Sequence, residues 1–79
     1  LVVEPMDKRK NGLVIEFKVA KEKEELEKAS EEALAQIEEK RYYEGLRDRG
    51  VEKIILVGIS LYQRDFKLQG KIIKGVVAI

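Results

Sequence analysis

Apolar and polar positions alternate from Gly12 to Ala20. Leu13, Ile15, Phe17 and Val19 fall on one face of an extended chain, and Val14, Glu16, Lys18 and Ala20 on the other. Upstream, Leu1 to Glu4 reads as a short strand stopped by Pro5, and Asn11-Gly12 predicts a hairpin turn, because both residues tolerate positive φ. From about Glu22 the period lengthens to three and four: Leu26, Ala29, Ala33 and Ile37 form one stripe, narrow and rich in alanine, suited to close packing on a sheet. This helical pattern runs through Tyr42 and Tyr43, weakens at Gly45 and ends at Gly50. Lys53 to Ser60 is a nearly continuous aliphatic run, which predicts a central strand covered on both faces. A polar turn at Gln63 to Asp65 follows, then alternation from Phe66 to Gln69, then two short apolar pieces separated by Lys74-Gly75. The predicted order is β-β-α-β-β with one more strand at the end, an α/β class built on a mixed sheet.

The chain has 79 residues, enough for one small domain. It contains neither Cys nor His, which removes disulfides, thiolate chemistry, zinc sites on soft ligands and any Ser/His or Cys/His nucleophile. Chemistry must then rest on carboxylates, Lys, Tyr, or a hard cation held by oxygen atoms. A net charge of +1 advertises neither nucleic acid nor membrane as a partner. No apolar run reaches membrane-spanning length and no signal-peptide pattern occurs, so a cytoplasmic location is the default expectation. The chain starts at Leu1 inside an apolar run, which predicts a piece of a longer protein.

Glu16 and Lys18 share one strand face, so a carboxylate and an ammonium project side by side. An exposed ion pair on the solvent side of a half-buried strand is the ordinary account, since E-x-K occurs by chance in any highly charged sequence. The apolar flanks, the preceding turn and the helix that leaves within a few residues give the pair a setting typical of sites in α/β layers.

Together, VIEFKVAK, the helical EEALAQIEEKRYYE and the strand IILVGISLY resemble the PD-(D/E)XK nuclease superfamily over roughly residues 1–69. More narrowly, they resemble the nuclease-like domain at the C-terminal end of AAA-ATPase-like proteins of bacteria and archaea. The resemblance implies a restriction-endonuclease-like core and Mg²⁺- or Mn²⁺-dependent hydrolysis of nucleic-acid phosphodiesters, with DNA as the expected substrate and an ATPase domain in the same chain. It implies that Glu16 and the main-chain carbonyl of Phe17 hold the metal, that Lys18 orients the attacking water, and that Gln36 on the helix lies near the site. Tyr42 or Tyr43 would be the accompanying Tyr. Read from the residues alone, Gln36 is equally a boundary residue bonded to solvent, and the tyrosines are ordinary packing aromatics.

The resemblance also calls for an Asp on the first strand, immediately before Leu1 and outside this sequence. Glu4 and Asp7 are the nearest substitutes. With Glu16 as its one strong ligand the site would bind Mg²⁺ weakly, and the chain as given is expected to be inactive. The alternative is a silent binding or assembly module beside an ATPase. The three positive charges of MDKRKNG and the pair Lys40 and Arg41 are possible phosphate contacts, or simply solvated surface. A homodimer through sheet edges or the tail Lys71 to Ile79 is a further expectation.

Overall fold

The computed structural model describes residues 1–7 and 9–74, Lys74 by its backbone alone. Four strands form one sheet in the order β1-β2-β3-β4: β1 (Val2–Val3), β2 (Gly12–Val19), β3 (Lys53–Tyr62) and β4 (Asp65–Lys74). β2 and β3 run parallel, and β1 and β4 are antiparallel to their neighbours. Between β2 and β3 the chain makes a single helical turn (Lys23–Glu25), then α1 (Leu26–Lys40) and α2 (Glu44–Asp48). This is the expected mixed α/β core.

The alternation in β2 is as predicted, and the face that carries Glu16 and Lys18 is the one turned to α1. Buried Gly12 and Val14, half-buried Glu16, exposed Lys18 and buried Ala20 lie on the side of α1, while Phe17 and Val19, on the other side, stand 52% and 75% exposed. β3 is inner as predicted, yet only its α1 face (Ile54, Leu56, Gly58, Ser60) is fully buried. The expected cover on its second face is not found among the described residues. The core consists of Val14, Ile37, Leu46, Val51, Ile54 and Leu56, with Leu34, Tyr43 and Ile73 packed against it.

Two glycines reveal how closely the layers meet. Asn11-Gly12 is not the predicted hairpin turn: β1 pairs with β2 as Val2↔Val14 and Val3↔Leu13, so a longer loop joins them and Gly12 opens β2. An added Cβ there would lie 2.9 Å from Leu46 Cδ1 and 3.2 Å from Val51 Cγ1, so core side chains would have to shift to admit it. At Gly58 an added Cβ would collide with the Ser30 carbonyl oxygen and lie 2.5 Å from the Leu34 amide nitrogen, so this residue sets how deeply α1 seats on the sheet. Ser60, also buried, donates its hydroxyl to the Leu26 carbonyl at 2.5 Å and ties the start of α1 to β3.

The predicted single helix through Tyr43 is interrupted. Arg41 takes a left-handed conformation (φ 56°) and its N–H bonds to the Ile37 carbonyl, after which α2 turns Leu46 into the core. Gly50 (φ 87°) ends α2 as expected. β3 and β4 form a tight hairpin through Gln63, whose φ is 54°, and β4 continues through Lys74 where two shorter pieces were predicted. The expected last strand after Gly75 lies outside the described residues.

Candidate active site

β2 presents Glu16 and Lys18 toward α1, and its neighbour β3 places Gly58 beside Glu16 and Ser60 beside Lys18. Both neighbours are small, so the helix comes down close to the strand at the level of the pair. Lys18 Nζ donates to Glu32 Oε2 of α1, with both side chains a little under half exposed. This hydrogen bond, reinforced by the Lys18 charge, holds the Glu32 carboxyl below its ordinary range. Glu16 and Lys18 are therefore not an isolated wet pair; Lys18 reaches across the seam to the helix.

Glu32 carries no mark of chemistry in the sequence. Its signal is positional: it falls three residues after Ala29 and four before Gln36, on the flank of the buried stripe. α1 runs back against β2, as a parallel crossover requires. Gln36 is half-buried and lies one helical turn beyond Glu32 on α1. Lys18 and Glu32 thus meet across the seam between β2 and α1, with Glu16 on the same face of β2 and Gln36 one turn along α1.

The open side of this seam faces β1. Leu1 and Ile15 exchange both backbone bonds: the Leu1 amino group donates to the Ile15 carbonyl at 2.8 Å, and the Ile15 N–H to the Leu1 carbonyl at 2.7 Å. With Val2 opposite Val14, one step upstream of Leu1 falls opposite Glu16 and on the same face. Backbone groups of alternate residues point to the same side of a strand. The Phe17 carbonyl is accordingly directed to the β1 side, past Leu1.

The substitutes for a first-strand acid are placed elsewhere. Glu4 accepts a hydrogen bond from Arg49 Nε at 2.6 Å, beyond the Val3↔Leu13 end of the ladder. Asp7 is bound by Arg9 through both backbone and side chain, which lowers its carboxyl. Among the described residues no group of three or more Asp or Glu side chains could hold a metal ion. One carboxylate and one carbonyl do not make a divalent-cation site by themselves, so no chemical step is derived through a metal.

At the C-terminal end of β2 a cavity of about 290 Å³ is lined by Lys18, Lys21 and Lys28 with Glu25 and Glu32. Of these charges, Lys18 and Glu32 are paired with each other. Tyr43 packs on the core with the Arg47 guanidinium 5.1 Å over its ring, while Tyr42 is exposed beside Lys40 and Arg41 pairs with Glu44. The aromatic pair and the neighbouring cations are thus engaged away from this seam.

A four-stranded mixed sheet with α1 on one face, and an acid and a lysine two residues apart on an inner strand, is compatible with a PD-(D/E)XK-like core. A protein-family model of the PD-(D/E)XK nuclease superfamily matches residues 1–70, and the chain belongs to that superfamily. No curated protein and no solved structure matches it.

Proposed function

We propose that this domain is the core of a metal-dependent nuclease acting on DNA phosphodiesters, and that the 79 residues by themselves are inactive. The observation that carries the reading is the strand register, in which the step before Leu1 falls opposite Glu16. A carboxylate there would share a face with Glu16 and flank the Phe17 carbonyl, giving a hard cation the oxygen ligands it needs. Such an ion, when bound, neutralises phosphate charge and acidifies a bound water.

In this reading Lys18 and Gln36 supply positioning. The Lys18 ammonium stabilises charge near the scissile phosphate, and Gln36 donates or accepts a hydrogen bond beside Glu16. Lys21 and Lys28 attract flanking phosphates without reading sequence. The domain would work beside an ATPase in one longer chain, as the resemblance implies.

The test is a chain carrying one Asp before Leu1, assayed on duplex DNA, single-stranded DNA and RNA with Mg²⁺ or Mn²⁺. Cleavage is expected in the extended chain, absent from the original, and lost on adding Glu16→Gln or Lys18→Met to the extension. A folded, Mn²⁺-binding extended chain that cuts nothing would favour the assembly module instead.

A further inference from the structure

Lys18 has two carboxylates to choose from and is bound to the one more distant in sequence. Glu16 lies two residues before it on the same face of β2, about 6.6 Å away along the strand and within reach of the flexible lysine stem. Glu32 comes from α1, 14 positions on, and accepts the Lys18 Nζ hydrogen bond. Among the described residues the half-buried Glu16 side chain has no hydrogen-bond or ion-pair partner. An opposite charge beside a partly buried acid favours its ionised form, so a pair between the two neighbours is the simpler expectation. The fold supplies the reason for its absence. The turn of α1 from Ser30 to Leu34 rests on Gly58, where an added Cβ would lie 2.5 Å from the Leu34 amide nitrogen, and Gly58 is the register partner of Glu16. This close seating brings Glu32, in the middle of that turn, to the strand that carries Lys18.

We propose that Glu32 is a positioning residue, which holds Lys18 away from Glu16 and so leaves the Glu16 carboxylate unneutralised. The purpose of this arrangement rests on the nuclease reading, in which the acid and the lysine have separate tasks and a mutual pair would silence both. One ammonium among these two carboxylates leaves a single negative charge, and the bond to Glu32 places that charge on Glu16. The same bond fixes the direction of a side chain that otherwise has many rotamers, so the ammonium is oriented before any substrate arrives. Glu25 lines the same cavity as Lys18 and Glu32 and is the remaining rival for the lysine. Glu32 itself acts only through Lys18.

Nuclear magnetic resonance of the 79-residue chain tests this with neither metal nor substrate added. In the parent chain the Lys18 ε-protons are expected to contact the Glu32 γ-protons and not those of Glu16. Glu32→Ala, which suits a helix, should transfer the contact to Glu16 and shift the Glu16 carboxyl carbon. Adding Lys18→Met to Glu32→Ala should return that carbon to its parent position. Glu31→Ala removes the same charge one position away and should leave both the contact and the carbon unchanged. A parent chain in which Lys18 already contacts Glu16 would overturn the proposal. So would a Lys18 that turns to Glu25 or to solvent in Glu32→Ala, or a Glu16 shift that persists in the double variant, which would mean that Glu32 acts on Glu16 directly. If Glu32→Ala fails to fold, Glu32→Gln keeps the shape, removes the charge and decides in the same way. None of these readouts depends on cleavage. An Asp-extended chain that cuts nothing removes the nuclease reading and leaves the contacts as they are, so the two failures are told apart.

Discussion

Lys18 on β2 and Glu32 on α1 close an ion pair across the seam between sheet and helix. The partner of the candidate lysine is therefore a helical carboxylate from outside the E-x-K motif. An anion reaching Lys18 must compete with Glu32.

The Glu32 side chain should titrate below an ordinary glutamate when followed by carbon NMR, and Lys18→Met should return it to the usual range. Because the folded state lowers this pKa, the pair contributes stability above the ordinary glutamate range. That contribution is lost as the pH falls through the lowered value. An unshifted Glu32 would mean that the pair does not persist in solution.

Paramagnetic Mn²⁺ should broaden resonances of Glu16, Phe17 and Lys18 before those of the acidic helix surface, weakly in the present chain and more strongly once an Asp precedes Leu1. Broadening spread over Glu24, Glu27 and Glu31 would argue against a metal at the seam.

Gly58→Ala should destabilise the domain by at least about 1–3 kcal/mol in denaturant unfolding, the range for overpacking, because the new methyl meets helix backbone that has no rotamer to change. A neutral substitution would mean that α1 sits higher on the sheet than described.

Ser60→Ala removes the hydroxyl bond to the Leu26 carbonyl at a buried position and should cost about 1 kcal/mol. Amide exchange ought to speed up first in the opening turn of α1, where that bond anchors the helix.

Much of this arrangement was legible from periodicity. The two-residue alternation of β2 and the alanine stripe of α1 identified both elements of the seam, and Gln36 was recognisable as a flank residue. Which face of β2 met the helix was not, since Val14 and Ala20 are small beside Leu13, Ile15, Phe17 and Val19 and both faces carry apolar residues. The break at Arg41 was hidden because a non-glycine residue takes the left-handed conformation there. Gly58 and Ser60 did leave a trace, two small residues at period two within an aliphatic run. Their meaning required the β2–β3 register, a long-range property.

That parallel register also carries a consequence in time. Gly12 pairs with Ile54 and Val19 with Leu61, so β2 gains its inner neighbour across 42 positions of chain (54 minus 12). The helix and the β3–β4 hairpin need only local contacts and are expected to form sooner. Closure of the β2–β3 ladder is then the late event, and it is also the event that seats Glu16 and Lys18 against α1. On this order, β2 is held in the sheet's interior only once the chain through Leu61 is available.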